Sequence, residues 1–239
     1  LKAARNAVTR MQKEYPQEWK ALAEKLAFRP EEPAAWAERM DKAVRRYDEG
    51  RRLWIQDDTF EKLEPLNPAD YKEDDIPLYH KISYDRLQRY QVLKQADVLM
   101  LMAMCPGDFT MEQKQAAWAY YEPKTLHDST LSFGIHALMA ARVEQREAAE
   151  RYFEKSLFLD LQDVMKNTAR EGIHTAALGA TWQALIFGFA GLWIDSDGIT
   201  CTPCLPKQIR KMRFHFAYLG RRYEVRIDEK GAVAEALEE

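Results

Sequence analysis

The stretch Thr181-Trp-Gln-Ala-Leu-Ile-Phe-Gly-Phe-Ala-Gly-Leu-Trp193 is apolar on nearly every side of a helical wheel. A helix drawn through it has no polar face to offer water and must be buried on most sides. Its longest apolar part, Ala184 to Trp193, is half of the ~20 residues needed to cross a bilayer. The chain must therefore enclose this helix with protein, and a hydrophobic content of 46% over 239 residues supplies enough core to do so.

Helices are expected to dominate. Gly and Pro number 10 each, about 8% together against roughly 12% in average usage, which disfavours a turn-dense sandwich or barrel of strands. Three helical segments are predicted in the first fifty residues, near 1–13, 17–27 and 32–48, with Pro16 and Pro33 at helix starts where a missing N–H costs least. In the first of them Leu1, Ala4, Val8 and Met11 share a face. Residues 51–79 lose this periodicity among Pro65, Pro68 and Pro77 and read as a long ordered loop. Periodicity returns near 84–104, 111–121, 130–143, 146–159 and 179–192, implying helix hairpins in series. Ala149, Phe153 and Leu157 give the fourth of these its apolar face.

After Trp193 the pattern changes. Asp195-Ser-Asp-Gly198 reads as a turn, and Arg213 to Leu219 alternates as a strand does. Gly220-Arg221 can turn into a second strand, Tyr223 to Ile227, and the tail from Lys230 is expected to be poorly ordered. Without a start Met, and opening directly in a helical pattern, the chain reads as a fragment.

The charges, 35 basic against 38 acidic, leave a net of -3, which gives no reason to expect nucleic acid as a partner. No basic-then-apolar leader opens the chain, so a cytoplasmic protein is the simplest reading, with no membrane partner. Three Cys cannot make a disulfide framework. Cys201-Thr-Pro-Cys204 has the spacing of half a zinc knuckle, but no second pair completes a metal site.

Three clusters could carry chemistry. Lys94-Gln95 opens the apolar segment Ala96 to Cys105, pairing a cation with an amide that can donate to and accept from sugar hydroxyls. Taken alone, the pair is more simply explained as a solvated helix start. His127-Asp-Ser-Thr-Leu-Ser132 precedes the next apolar helix, and its hydroxyls either cap that helix or hold a phosphate at its N-terminus. In Glu171-Gly-Ile-His-Thr175, His174 either bonds to backbone or faces a ligand.

Taken in order, Lys94-Gln-Ala-Asp-Val-Leu99, His127 to Ser132, and Glu171 to Thr175 with Gly179-Ala-Thr-Trp182 resemble glycoside hydrolase family sixty-five. Phe153 to Leu161, Leu205-Pro-Lys207 and Phe214 to Arg221 extend the resemblance over most of the chain. The family contains inverting phosphorylases for maltose, trehalose, kojibiose and nigerose. The resemblance implies a mainly α fold, the later helices of an (α/α)6 barrel over 1–192 followed by a small C-terminal β element over 193–239. It implies that Lys94 and Gln95 contact the glucose, and that Ser129, Thr130 and His174 hold inorganic phosphate, the co-substrate; no cofactor or metal is implied. Thr130 stands where many members carry a second Ser. The family's general acid, a Glu in a Pro-Asp-Glu-Tyr-like motif, is expected upstream of Leu1, so the chain alone should be inactive and its missing N-terminal part is a required partner. Family members often form dimers, so the resemblance implies a homodimer as a further partner. A non-catalytic module that binds sugar or a partner protein, and a hydrolase of the same family, compete with the phosphorylase.

Overall fold

The computed structural model describes residues 1–71, 77–195 and 198–237. The chain divides into two compact units, Leu1–Arg45 and Arg46–Glu239. In the first, helices α1 (Lys2–Glu14), α2 (Pro16–Lys25) and α3 (Glu32–Asp41) pack with α1 against both others. Edge-on contacts from Phe28 to Trp19 and Trp36 link α2 to α3. Of the expected apolar face on α1, Val8 is buried and Met11 half-buried, while Leu1 and Ala4 are exposed. The third helix stops at Asp41, seven residues short of expectation. Beyond it Tyr47–Asp48 (β1) pairs with Leu53–Trp54 (β2) across a turn in which Asp48 accepts from the Arg51 backbone N–H at 2.9 Å.

The second unit begins with that hairpin. Three short 3₁₀ turns, Phe60–Lys62, Pro68–Asp70 and Leu78–His80, punctuate the described parts of the Pro-rich loop. The helix expected over 84–104 is two: α4 (Tyr84–Leu87) and α5 (Asp97–Met104). Between them Leu93 is held by a parallel bridge to Thr125, and its backbone exchanges hydrogen bonds with Lys124 and Leu126 at 2.9 and 2.7 Å. A chain tied to a neighbour in this way cannot also make i to i−4 bonds. Helices α6 (Met111–Tyr121), α7 (Ser132–Arg142) and α8 (Arg146–Leu157) follow, α6 opening with a Thr110/Gln113 capping box. A single turn, α9 (Thr168–Glu171), precedes α10 (Thr175–Gln183).

Helix α7 is the hub. Every residue from Ser132 to Ala141 is buried, and α5, α8 and α10 all pack on it. Gly134 makes the α10 contact possible, because a Cβ there would lie 2.7 Å from Ala180 Cβ and 2.9 Å from its carbonyl carbon. The inward stripe of α8 is Ala149, Tyr152 and Ser156; Leu157, expected to face inward, is 44% exposed. Ser156 is drawn in by its bond to Thr181 on α10. The all-apolar helix begins earlier than expected and changes character, continuing as a π-helical segment, Ala184–Phe189. Ala184, Gly188 and Phe189 are buried as required, but Trp182 is 60% exposed, on a side of α10 that no described element covers.

Leu192–Asp195 (β3) and Gly198–Cys201 (β4) form a hairpin; Ser196 and Asp197 of the expected turn lie outside the described residues. Met212–Tyr218 (β5), Arg221–Asp228 (β6) and Gly231–Ala236 (β7) form an antiparallel sheet. Leu219 and Gly220, with φ of 50° and 76°, make the two-residue turn joining β5 to β6. The third strand overturns the expectation of a poorly ordered tail. Asp228 accepts from the Lys230 N–H at 2.8 Å and turns the chain back, and Ala232 and Ala234 join the core beneath Val225 and Ile227. Cys201 and Cys204 are free thiols. Among the described residues no three His, Cys, Asp or Glu side chains gather into a metal site, and no helix is long and apolar enough to cross a membrane.

Candidate functional site

The three sequence clusters meet because the backbone stitches them together. After the Leu93 bridge, the Lys94 carbonyl accepts the Asp128 N–H at 3.1 Å, setting Lys94 beside the loop that enters α7. Ser129 turns that loop, its carbonyl accepting from Ser132 N at 3.0 Å. The result is a cleft of about 340 Å³ whose walls include Lys94, Ser129, Thr130 and His174. Gln95 is half-buried and outside this lining. Among the other walls are Tyr79 and Tyr84, stacked with centroids 5.1 Å apart and Lys94 Nζ 5.5 Å from the Tyr84 ring. Asn167, Arg170 and two carboxylates, Asp128 and Glu171, complete the polar surface.

His174 is gripped rather than loosely placed. Asp160 accepts its backbone N–H at 2.8 Å through Oδ2 and meets its Nδ1 at 2.6 Å through Oδ1, which also takes the Thr168 hydroxyl at 3.3 Å. Glu171 Oε2 lies 3.7 Å from Nε2. The Asp160 bond raises the His174 pKa above its ordinary value, with burial opposing and Glu171 adding to the rise. Burial works to raise Asp160, but the bonds from His174 outweigh it and hold its carboxyl below the usual range. The pair therefore favours an imidazolium facing the cleft.

The loop itself hangs on a buried polar chain. His127, at φ 58°, meets Ser132 Oγ at 2.9 Å through Nδ1 and Tyr152 OH at 3.1 Å through Nε2. Tyr152 OH donates to Glu122 Oε1 at 2.6 Å. Behind Ser132, fully buried His136 bonds the Ser132 carbonyl at 3.0 Å through Nδ1.

Sequence reading missed Asp160, Tyr79, Tyr84, Asn167 and Arg170. Asp160 sits inside the stretch Phe153 to Leu161 that carries part of the resemblance, and that was its only signal. A larger cleft, about 1060 Å³, holds none of the sequence candidates; it lies at the other end of α7, beside Ala141 and Arg142. The smaller cleft is the better candidate because independently noticed clusters converge there with a charge-tuned histidine.

Two hydroxyls, an ammonium and an imidazolium around one small cleft suit an oxyanion. Residues 1–183 match the glycosyl hydrolase family 65 central catalytic domain, and residues 192–239 match the family 65 C-terminal domain. The chain is 33% identical over 238 residues to an alpha,alpha-trehalose phosphorylase of Thermoanaerobacter brockii, covering 100% of this chain and 31% of the relative. It is 34% identical over 209 residues to a kojibiose phosphorylase of Halothermothrix orenii, covering 87% of this chain and 27% of the relative. A solved structure assigned as a kojibiose phosphorylase from the human microbiome superimposes with a TM-score of 0.83 at 29% identity, over 99% of this chain and 33% of that one. The chain thus spans about a third of the length of the relatives it matches. The fold is of the class that these neighbours define, the later helices of an (α/α)6 barrel followed by a small C-terminal β element. This chain belongs to glycosyl hydrolase family 65.

Proposed function

We propose that this chain supplies the phosphate-binding side, and part of the glucose-binding side, of an inverting disaccharide phosphorylase acting on an α-glucosyl disaccharide of the trehalose, kojibiose, maltose or nigerose type. In this reading residues 1–192 are the C-terminal portion of the catalytic barrel and 193–239 the start of its β domain. The observation that carries it is the convergence of Lys94, Ser129, Thr130 and His174 on one cleft. Ser129 and Thr130 donate hydroxyl hydrogens to phosphate oxygens, and the His174 imidazolium donates from Nε2, the nitrogen that Asp160 leaves free. Lys94 adds charge, and with Gln95 meets the glucose. Phosphate oxygen attacks the anomeric carbon from the face opposite the leaving sugar. The bond from that carbon to the glycosidic oxygen breaks as a general acid, supplied from outside these residues, protonates that oxygen. The products are β-glucose 1-phosphate and the free second sugar. Phosphate replaces water as the nucleophile, so no cofactor is needed and no carboxylate base has to activate water.

Calorimetric titration of inorganic phosphate into the chain tests this reading. Saturable binding is expected, weakened about tenfold or more in Ser129→Ala and in His174→Ala, the size of one lost charge-assisted hydrogen bond. Absence of binding, or variants that bind as the parent does, refutes it. Asp128 and Glu171 on the same walls favour a second reading, hydrolysis with a carboxylate base. Release of glucose without phosphate by the polypeptide carrying this segment and its general acid would select that reading.

A further inference from the structure

The larger cleft contains charge that its protein surroundings do not neutralise. The ammonium of Lys114, half-buried on α6, has no hydrogen-bond or ion-pair partner among the described residues. Arg142, at the end of α7, gives Nε to the Phe187 carbonyl and one terminal nitrogen to the Ala103 carbonyl, both at 3.1 Å, leaving its other terminal nitrogen without an acceptor among the described residues. Burial, and Arg142 nearby, push the Lys114 ammonium below its ordinary value, and burial brings Arg142 down to about 10. Two partly desolvated cations therefore line one cavity, the Lys114 ammonium in the field of Arg142. The acidic residues of the lining, Glu144, Glu147 and Asp195, are all exposed at its rim, as are the cations Arg146 and Lys207. The interior is cationic although the lining as a whole is nearly balanced.

Beside these cations stands an aromatic wall. The half-buried Trp193 ring lies 5.8 Å from the Arg142 guanidinium carbon, and its indole N–H donates to Asp195 Oδ2 at 3.0 Å, which fixes the ring plane. The volume, about 1060 Å³, is far more than a bare ion fills and stands at the upper end of cavities that take small organic ligands.

We propose that this cleft binds a phosphomonoester with a ring-shaped body, its phosphate between Lys114 and Arg142 and its ring against Trp193. A dianionic phosphate matches the two interior cations, where a single carboxylate would leave one unmatched. The site is separate from the phosphate cleft. The eleven residues of α7 between the two ends span roughly 16 Å at 1.5 Å per residue. The inference does not depend on the phosphorylase reading.

The experiment is calorimetric titration of the chain with glucose 6-phosphate and, separately, with AMP, using inorganic phosphate as the control for the smaller cleft. Saturable binding of at least one ester is expected, with sugar and nucleobase told apart by which is tighter. Lys114→Met should weaken it about tenfold or more and Lys114→Arg should retain it, whereas Ser129→Ala should leave it unchanged. Melting temperatures recorded on the same samples keep loss of folding distinct from loss of the site, and Lys114→Arg carries the comparison if the Met variant does not fold. No saturable binding of either ester, equal binding by the parent and Lys114→Met, or loss on Ser129→Ala would each overturn the proposal.

Discussion

Fully buried His136 should make the fold sensitive to mild acid. Burial drives its pKa from an ordinary 6.5 down to about 4, only partly offset by the bond to the Ser132 carbonyl. Its Nδ1 is committed to that carbonyl, while Nε2 is buried with no hydrogen-bond partner. The rings of His127, Tyr152 and Trp118 surround it at 4.4, 5.2 and 5.8 Å. A second proton would therefore place a charge and an unmatched N–H in that pocket. Below pH 6.5 the unfolded chain binds this proton and the folded chain does not, so stability falls with pH until the folded pKa is reached. At 1.36 kcal/mol per pH unit the loss between pH 6.5 and 4 is about 3 kcal/mol, a large part of a typical 5–15 kcal/mol. Other shifted groups act above this window or overlap only its acid end, so the slope between pH 6.5 and 5 belongs chiefly to His136. His174, raised by Asp160, contributes stability that is lost as pH rises above 6.5. Glu224, held down to about 2 chiefly by Arg213, acts below its ordinary 4.5. Urea unfolding measured at steps from pH 4 to 7 should show the slope, and His136→Leu should flatten it whatever that variant's absolute stability. An imidazole that titrates near 6.5 by NMR, or an unchanged slope in His136→Leu, would refute the reasoning.

The other predictions are more local. Asp160→Asn should lower the His174 pKa and cost about 2 kcal/mol at pH 5–6, because one donor to the carboxylate then faces an amide N–H; the cost should shrink as pH rises through the folded His174 value, read by imidazole NMR and by melting temperature. Gly134→Ala should cost about 1–3 kcal/mol in chemical denaturation, since its new methyl meets Ala180 at 2.7 Å and helix α10 must shift. Tyr152→Phe removes the hydroxyl shared by His127 and Glu122, and should loosen the Ser129–Thr130 loop, seen as faster amide exchange there and about 1 kcal/mol less stability. Gly220→Ala should cost about 1 kcal/mol through its positive φ of 76°, without moving any cleft residue.

Periodicity was a good guide wherever a helix or strand had one neighbour layer, and a poor one where long-range pairing intervened. Helices α6, α7 and α8 and strands β5 and β6 could be read because alternation or a 3.6-residue repeat follows burial directly. The break between α4 and α5 comes from Leu93 pairing with Thr125, thirty-two positions along, and nothing local marks it. On α8 the buried stripe contains Tyr152 and Ser156 in place of Leu157, because Thr181 and His127 supply polar partners that no hydrophobic pattern reveals. Strand β7 was hidden because its inward positions are only Ala232 and Ala234, alternating with exposed Val233 and Glu235, a pattern too weak to stand out from a charged tail. The site was legible as clusters of donors. What the sequence could not show was the carboxylate that sets the charge of His174, fourteen residues upstream, or the tyrosine pair that walls the cleft.

The π-helical segment Ala184–Phe189 acts as a phase adjuster between α10 and the hairpin that follows it. A π turn takes one residue more than an α turn, so within a continuous helix it is equivalent to a single inserted residue. Each residue of an α-helix advances the side-chain direction by about 100°. Restoring α geometry here with every residue kept would turn α10 by about that angle relative to β3 and β4. The alignment that places Ala180 against Gly134 would be lost, and with it the seating of His174 at the helix's other end. The spacing between His174 and Leu192 is thus a constraint in its own right, separate from the identity of any residue within it.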